Sequence, residues 1–562
     1  MTNASRFTAF VPAADVESFL AAIADARARV RAGVPAEVVV FAADSLTVCT
    51  ALLDLLERLA AAPTYLLRLP APGVERLSID GVDVLFVRGG KRPASNWHRD
   101  ADAVYVPELD EGSLSACRAR LTTATRIVVL HGGDASETVH VGGSALVRAE
   151  PARAGKLAAW RLAHGRSAAK APAFQGDVLI VGAGLAGALT AYSLHERGVR
   201  AAVVDAGPTP GAGASALFAG IAHPHRQSED SPAFQLTRAG VAKMERLLEA
   251  FPDCAAQRGV LDLAVDALEW RQMAADEAAG RPFRASSRFS RLLSAPAASE
   301  RLGYPTSWGG WFYESGRVVR IGRLVRSLFE FVGASVLCGV SVRLERRGGR
   351  WHAVNAAGQS LASGAAVVCA AGMGSPELLG VSAAQYGLSA LYGRISLLRD
   401  SDLPRLRVPA AGRGYIVRTS DGFTGAGATY EPGGPILSRE AAHARNLSVL
   451  SGLLRLNADE QPAAAGFYEG VRAVARDRLP IAGPMVDHRA LSALLEKRGG
   501  RAIEARQAPV LPACYGLFGL GSRGLSWGLA LSEALAAEIV GASVPMLPAL
   551  WSKVSPARFV CR

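Results

Sequence analysis

Two hydrophobic patterns alternate along this chain: short runs of apolar, often β-branched residues, and longer stretches with apolar residues at helical spacing. The clearest run covers residues 178–181, and it is followed by a helical pattern over 188–194 and a second apolar run over 201–204. A continuous apolar run is typical of a strand that is buried on both faces of a parallel sheet. This stretch therefore predicts a β–α–β unit of a doubly wound α/β sheet.

The first 165 residues show the same alternation. Helices are predicted over 13–30 and 46–61, and strands over 37–41, 64–69, 84–87, 103–106 and 126–131. This order predicts a small Rossmann-like α/β domain. The strand at 37–41 is followed by Ala-Ala-Asp-Ser, whereas a loop that holds a nucleotide usually needs glycine for close backbone approach. We therefore expect a scaffold or docking module here rather than an enzyme.

A small, basic, alanine-rich segment over 152–172 predicts a partly helical linker, and we place the linker proper at 166–173. The second domain is predicted over 174–562. Beyond residue 205, the pattern predicts helices over 231–251, 320–332 and 529–540, antiparallel strands over 335–338, 340–345 and 351–354, and substrate-facing strands over 391–396, 414–418 and 423–430. The apolar strand that begins at 365 indicates a return to the nucleotide-binding sheet. The nucleotide-binding parts are thus predicted at about 174–225, 360–376 and 510–545.

The loop after the first of these strands carries glycines in G-x-G-x-x-G spacing, at 182, 184 and 187. Gly182 permits a tight turn, Gly184 lets the backbone approach a pyrophosphate, and Gly187 lets the helix pack on the strand. The helix N-terminus offers free N–H groups to the phosphates. Asp205 ends the second strand and can accept a hydrogen bond from a ribose hydroxyl. The motif predicts a dinucleotide site without separating NAD from FAD.

Three arginine-containing motifs add candidate chemistry. Arg472, Arg476 and Arg478 surround Asp477, and Arg523 lies in a glycine-rich stretch before the last long helix, where glycines and a helix N-terminus suit an electron-rich group. Four arginines with two interleaved phenylalanines fall in a stretch that has no acidic residue: Arg281, Arg284, Arg288 and Arg291. That stretch suits phosphates and bases, and a solvated loop explains it equally well.

The amino-acid composition limits the classes of molecule that this protein is expected to bind. The formal net charge of +12 favours a polyanionic partner such as nucleic acid, although a general basic bias of an arginine-rich proteome explains it equally well. Seven scattered cysteines without a C-x-x-C pair indicate neither a disulfide framework nor a zinc site, and we expect no metal. The sequence shows no signal-peptide pattern and no bilayer-spanning run, so we expect a cytoplasmic protein without a membrane partner.

Together these residues resemble the FAD-dependent oxidoreductase half of the MnmC family, bifunctional proteins of tRNA 5-methylaminomethyl-2-thiouridine biosynthesis that are related to glycine oxidase and D-amino-acid oxidase. The resemblance covers about 174–562. It rests on the 177–187 loop, on Gly213 to Ser215 with Gly220 and Pro224, on Gly309 to Trp311, on Gly470 to Arg472 with the 476–480 motif, and on Gly521 to Leu525.

The resemblance implies FAD as cofactor and tRNA, at its anticodon region, as partner. The flavin half of the family removes the carboxymethyl group of 5-carboxymethylaminomethyl(-2-thio)uridine, as glyoxylate, and leaves the aminomethyl base. By similarity to glycine oxidase, Arg472 is expected to hold the substrate carboxylate, and the alternative is a structural ion pair with Asp477. The cofactor site is expected to comprise Gly182, Ala183, Gly184, Leu185, Ala186, Gly187, Asp205, Ser215, Gly372, Gly521, Ser522, Arg523, Gly524 and Leu525.

The other half of the family is an S-adenosylmethionine-dependent methyltransferase. Residues 1–165 are shorter and lack its glycine-rich cofactor loop, so we expect a degenerate, inactive domain that does not bind S-adenosylmethionine. An active methyltransferase half remains an alternative.

Two further functions remain open. One is an oxidase of glycine, a D-amino acid or another free small amine, which would not need the basic surplus. The other is a tRNA-binding protein with a structural flavin or none, which would need neither the nucleotide loop nor Arg472.

Overall fold

The structure is a computed structural model. It describes residues 176–559, apart from 225–230, 280–289, 404–405, 419–421, 456–461 and 500. Before residue 176 it describes 7–11, 16–32, 34, 36–42, 73–79, 82–88, 103–106, 126–129, 138–141, 144–150 and 158–162. The chain divides into two compact units: Met1–Gln175 with Ala537–Pro548, and Gly176–Ala536 with Ala549–Arg562.

The first unit contains helix α1 (Val16–Arg31) and a mixed sheet. Its described strands are β1 (Phe7–Val11), β2 (Ala36–Ala42), β3 (Gly73–Ile79), β4 (Val82–Arg88), β5 (Ala103–Val106), β6 (Arg126–Val129), β7 (Thr138–Val141), β8 (Ser144–Glu150) and β9 (Ala158–Leu162). They pair in the order β3-β4-β2-β1-β5-β6-β9-β8-β7, with the run from β4 to β6 parallel. The parallel core confirms the predicted Rossmann-like pattern.

Glu37 on β2 is fully buried and is satisfied by a residue from the far end of the chain. Its carboxylate accepts hydrogen bonds from the backbone N–H of Ser543, at 3.1 Å, and from the Ser543 hydroxyl, at 3.0 Å. A buried carboxylate without such donors is costly. Residues 537–548 are therefore an integral part of the first unit.

The second unit contains three sheets, and its strands are β10 (Val178–Val181), β11 (Ala201–Val204), β12 (Gly220–Ala222), β13 (Ala255–Leu263), β14 (Arg291–Leu293), β15 (Gly310–Val319), β16 (Ser335–Leu337), β17 (Arg343–Arg347), β18 (Arg350–Val354), β19 (Ser360–Gly364), β20 (Ala366–Cys369), β21 (Leu388–Arg399), β22 (Ala410–Ala411), β23 (Tyr415–Arg418), β24 (Phe423–Gly427), β25 (Glu431–Pro432), β26 (Gly466–Ala475), β27 (Ile481–Val486) and β28 (Val510–Phe518). The described helices after α1 are α2 (Leu185–His195), α3 (Pro232–Ala250), α4 (Ala267–Ala278), α5 (Ala295–Leu302), α6 (Ile321–Val332), α7 (Arg439–Leu453), α8 (His488–Lys497), α9 (Gly524–Ile539) and α10 (Pro548–Val554).

The nucleotide-binding sheet has the order β16-β11-β10-β20-β28-β27. Strand β10 lies inside it, paired in parallel with β11 and β20, and all four of its side chains are buried. This explains the uninterrupted apolar run, because helix α2 packs on one face of β10 and the β17-β18-β19 sheet packs on the other, and a strand that is buried on both faces has no polar side. The pairing of β20 with β10 confirms the predicted return of the chain to this sheet.

A larger, mostly antiparallel sheet forms the rest of the second unit around β21. The order is β12-β15-β13-β22-β23-β24-β21-β25, with β14 paired to β15 and β26 paired to β21. Strands β25 and β26 pair with the same β21 residues, so the three strands lie side by side with β21 in the middle. A separate three-stranded sheet, β17-β18-β19, completes the described strands.

Several of the predicted helices and strands are confirmed, and some predictions are wrong. The strand Ser335–Leu337 was predicted to pair antiparallel with its successors, but it pairs in parallel with β11, because it follows helix α6 as the second strand of a crossover unit. The segment 158–162, predicted as linker, is the strand β9, held between β6 and β8 despite two alanines. The predicted helix at 46–61, the strand at 64–69 and the linker proper at 166–173 lie outside the described residues.

Candidate functional site

A single cavity of about 1210 Å³ joins the carboxyl ends of the nucleotide-binding strands to the antiparallel sheet. In open α/β sheets, ligands bind beyond the carboxyl ends of the strands. On the nucleotide side the lining includes Gly182, Gly184, Leu185, Ala186, Asp205, Ser215, Gly372, Gly521, Ser522, Gly524 and Leu525. On the other side it includes Tyr415, Tyr430, Val471 and Arg472. The structure thus brings most of the predicted site residues to one cavity.

The glycine loop has the geometry that its spacing predicts. Gly182 has φ +119°, and a Cβ there would lie 2.3 Å from the backbone oxygen of Ala370. A Cβ on Gly187 would lie 1.9 Å from the oxygen of Gly182, so helix α2 can approach the loop only with glycine at that position. Gly187 itself is buried and does not line the cavity, so Gly182 and Gly184 are the glycines of the motif that face a ligand.

Asp205 is held by one backbone N–H group of the glycine loop and one of its own loop. Its two carboxylate oxygens accept hydrogen bonds from the N–H of Ala183 and of Gly207, each at 2.5 Å. Ala183 therefore contributes to the site through its amide rather than by lining the cavity. A carboxylate has about four acceptor positions, so these bonds leave Asp205 able to accept from a ribose hydroxyl.

Ser215 connects the small-residue loop to the start of helix α2. Its hydroxyl accepts a hydrogen bond from the N–H of Leu185, at 3.0 Å, and so satisfies one of the donors at the helix N-terminus. Because the N-cap residue is Gly184, which has no side chain, Ser215 supplies the cap from 30 residues away.

The third part of the nucleotide side is the start of helix α9. This helix begins at Gly524, five residues earlier than predicted, so its N-terminal turn faces the cavity through Gly524 and Leu525. Gly521 just before it has φ +56°, a conformation that favours glycine. The positive end of the helix dipole favours an electron-rich group there.

Arg523 differs from its predicted neighbours, because it is not among the residues that line the cavity. Its guanidinium lies over the ring of Trp527, 5.0 Å from the ring centre, and burial lowers the pKa of this group. An arginine nevertheless stays charged at neutral pH.

Arg472 reaches the cavity from strand β26 by crossing over β21. The residue opposite on β21 is Leu391, and the next position on the same face is Gly393. A Cβ on Gly393 would lie 2.5 Å from Nη1 of Arg472, so the missing side chain makes room for the guanidinium. The guanidinium carbon lies 5.0 Å from the ring centre of Tyr430, which is a cation–π distance.

Nη1 of Arg472 is buried and has no hydrogen-bond partner among the residues that the structure describes. The alternative ion pair with Asp477 is not formed: Asp477 pairs with Arg558, whose Nε lies 2.8 Å from Oδ2. A buried guanidinium donor without an acceptor is costly, and a carboxylate is the acceptor that best satisfies its fork of N–H groups.

Tyrosines that the sequence analysis did not identify stand near Arg472. Tyr415 lines the cavity, and burial raises its pKa despite the opposing charge of Arg472. Tyr468 donates a hydrogen bond to the backbone oxygen of Gly213, at 2.9 Å, and burial raises its pKa to about 12. Both hydroxyls therefore stay protonated at neutral pH. The only signal in the sequence was that Tyr415 lies in the predicted substrate-facing strand 414–418.

The predicted arginine cluster is described only in part. Arg281, Arg284 and Arg288 lie outside the described residues. Arg291 is half-exposed on β14, where Nη2 lies 2.5 Å from a carboxylate oxygen of Glu314. An exposed pair of this kind contributes about 0–1 kcal/mol, so the arginine can exchange its partner for another anion.

Neither a metal-binding cluster nor a helix able to cross a membrane occurs among the described residues. They contain no group of three or more potential metal ligands, and Cys254, Cys338, Cys369 and Cys514 are free thiols. No described helix combines the length and the apolar character that crossing a membrane requires.

The residues present fit FAD. The turn at Gly182 has no room for a side chain, Asp205 keeps acceptor positions for a ribose, and two helix N-termini face a cavity long enough to continue to Arg472. The profile of the FAD dependent oxidoreductase family (DAO) matches residues 177–538. The chain belongs to this family, and its cofactor is FAD.

Among individual proteins, the chain is similar to the tRNA 5-methylaminomethyl-2-thiouridine biosynthesis bifunctional protein MnmC of Burkholderia orbicola (strain MC0-3). The two are 33% identical over 417 residues, which cover 72% of this chain and 63% of the relative. The resemblance to MnmC inferred from the motifs is confirmed at this level, and the match spans somewhat under two thirds of the length of that relative.

Solved structures support the fold. Glycine oxidase from Bacillus cereus ATCC 14579 matches with a TM-score of 0.53 at 19% identity, over 65% of this chain and 95% of that one. Glycine oxidase from Geobacillus kaustophilus matches with a TM-score of 0.52 at 22% identity, over 67% and 97%. These similarities confirm the predicted glycine-oxidase-like architecture.

Proposed function

We propose that this chain is a tRNA-modifying oxidoreductase that removes the carboxymethyl group from 5-carboxymethylaminomethyl(-2-thio)uridine at the wobble position and leaves the aminomethyl base. The observation that carries the proposal is the position of Arg472, which lines a cavity continuous with the FAD cradle and forms no ion pair with the described residues. The substrate class is supported by the similarity to proteins named for tRNA 5-methylaminomethyl-2-thiouridine biosynthesis, and the anticodon region is the corresponding partner site.

Different residues of the cavity would bind the cofactor and the substrate. Gly184 and the start of α2 would hold the pyrophosphate of FAD, Asp205 the adenosine ribose, and the turn from Gly521 to Leu525 the electron-rich edge of the flavin. When bound, FAD would supply the two-electron acceptor for oxidation of the N–CH₂ group of the carboxymethyl substituent, and water would then hydrolyse the resulting imine to glyoxylate and the primary amine.

Arg472 would hold the substrate carboxylate through two parallel N–H···O bonds. Tyr415 remains protonated and so offers an O–H donor to the same cavity without competing as an anion. No strong base is required if the amine arrives neutral, so orientation by Arg472 carries most of this chain's contribution.

The closing experiment is anaerobic mixing of the FAD-loaded protein with tRNA that carries the carboxymethylaminomethyl group. We expect loss of the yellow flavin absorbance together with release of one glyoxylate per flavin, and no such loss with glycine. Bleaching by free amino acids alone would replace the proposal with the second candidate, an amino-acid oxidase, which the glycine oxidase fold favours. A protein that takes up no FAD would contradict both.

For the first unit we propose a non-catalytic role, as a degenerate methyltransferase-like domain. The support is the absence of glycine from the sequence that follows β2, Ala42-Ala-Asp-Ser. Isothermal titration of the full chain with S-adenosylmethionine should give no binding heat. Tight binding would restore the bifunctional alternative.

A further inference from the structure

Tyr430 is a large aromatic residue that lines the cavity and is also 45% exposed, so it stands where the cavity opens to solvent. Val471, next to Arg472, is exposed to the same extent and lines the cavity as well. The opening therefore combines an apolar surface with the cationic anchor just inside it. Glycine held by Arg472 has no side chain that needs such a surface.

The backbone on both sides of Tyr430 is fixed. The buried carboxylate of Glu431 accepts hydrogen bonds from the N–H groups of Ile436 and Leu437 and from the hydroxyl of Thr429, at 2.7–2.8 Å. The Thr429 hydroxyl in turn accepts from the N–H of Arg394, at 2.9 Å. An aromatic surface that is ordered before the ligand arrives loses little entropy on binding.

Tyr430 also lies at the distance that the proposed substrate requires. Four bonds of about 1.5 Å separate the carboxylate carbon of the substrate from the pyrimidine ring, so the ring must lie within about 5–6 Å of a carboxylate held by Arg472. The ring centre of Tyr430 is 5.0 Å from the guanidinium carbon. The base and the tyrosine therefore have to share the opening of the cavity.

We propose that Tyr430 is the stacking surface for the pyrimidine base of the substrate. This inference rests on the proposed function and deepens it: Arg472 selects the carboxylate, and Tyr430 selects molecules in which the carboxymethylamino group is attached to a nucleobase. Stacking uses the face of the ring, so the phenol hydroxyl is not required.

The main competing role is support of Arg472, since the guanidinium lies against the same ring. Two probes separate these roles. One is the nucleoside 5-carboxymethylaminomethyluridine. The other is N-methylglycine, which has the same secondary amine and carboxylate but no base.

The experiment compares FAD-loaded full-length wild type, Tyr430→Ala and Tyr430→Phe, with anaerobic flavin bleaching by the nucleoside and with N-methylglycine as substrate or as competitor of the nucleoside. We expect Tyr430→Ala to weaken the apparent affinity for the nucleoside about tenfold or more. Tyr430→Ala should change the apparent affinity for N-methylglycine less than twofold. Tyr430→Phe should have the same apparent affinity as wild type for both probes.

Equal losses with both probes would overturn the inference and make Tyr430 a positioning residue for Arg472. Unchanged nucleoside affinity in Tyr430→Ala would overturn it as well. Wild type that is bleached neither by the nucleoside nor by the modified tRNA would refute the proposed function itself, and the inference with it.

Discussion

Arg472 shows how a single side chain depends on the absence of another. The arginine was predictable because its motif could be recognised in the sequence. Gly393 was not, because nothing in the sequence gives the register that places it beside Arg472 on the neighbouring strand. Tyr415 was missed for the same reason, since it lies on β23 and not on the strand of Arg472. Residues that act through cross-strand neighbours become visible only when the pairing is known.

Replacing Arg472 with lysine tests the carboxylate anchor. Lysine keeps the charge but cannot form two parallel hydrogen bonds, so we expect KM for the modified tRNA to rise at least about tenfold. Arg472→Ala should lower kcat/KM about a hundredfold, since it removes a charged hydrogen-bonding group of about 1.5–3 kcal/mol. Both variants should retain FAD, measured by absorbance. Wild-type kinetics in either variant would show that the carboxylate binds elsewhere.

Replacing Gly393 with alanine tests whether the guanidinium of Arg472 occupies the space beside Gly393. The new Cβ would lie 2.5 Å from Nη1 of Arg472 and 2.9 Å from the oxygen of Thr429, so the guanidinium must move. We expect KM to rise about tenfold while FAD content stays the same. The matched control is Gly452→Ala in helix α7, where a Cβ meets nothing within 4 Å. An unchanged KM in Gly393→Ala would contradict the described position of Arg472.

Among helices and strands, those with an uninterrupted hydrophobic pattern were predicted best from the sequence. Strand β10 and helix α6 were predicted from the sequence, and α6 buries Ile321, Leu324, Val325, Leu328 and Phe329 at helical spacing. The predicted pairing of Ser335–Leu337 failed, because a three-residue strand carries too little pattern to reveal its partner. The start of α9 was placed too late, because a run that contains glycine does not look helical although its end faces a cavity.

The segment from Thr429 to Leu437 gives a pH-dependent prediction. Burial raises the pKa of Glu431, but hydrogen bonds from Leu437, Thr429 and Ile436, with the charge of Arg394, outweigh it and hold the pKa below its ordinary value. The stabilisation is therefore fully present above the ordinary pKa of about 4.5 and is lost as the pH falls through the lowered folded value.

Glu431→Gln should be less stable than wild type by about 1–3 kcal/mol at pH 7, because an amide cannot accept all of these bonds. The difference should shrink as the pH is lowered from 5 to below the folded pKa of Glu431, where the wild-type carboxylate becomes protonated. Thermal melting at both ends of this range measures it. A difference in stability between the two proteins that does not change with pH would show that the charge of Glu431 does not stabilise the segment.

For the whole molecule, the net charge of +12 predicts how the substrate is bound. Contacts with phosphates release counterions, so we expect tRNA affinity to fall at least about tenfold between 50 and 200 mM KCl. The apparent affinity for N-methylglycine should change less than twofold over the same range of KCl concentration, since this molecule has a single carboxylate. Filter binding and flavin bleaching supply the two measurements. Salt-independent tRNA binding would argue against a nucleic-acid substrate.

The bond between Glu37 and Ser543 has a consequence for biosynthesis. The first unit contains both the start of the chain and Ala537–Pro548. On the ribosome, β2 emerges more than 500 residues before the serine that satisfies its buried carboxylate. Domains often fold in the order of their synthesis, but this one cannot be completed until the second unit has been translated. We therefore expect nascent chains that stall before residue 543 to retain an incomplete first unit, exposed to chaperones and proteases.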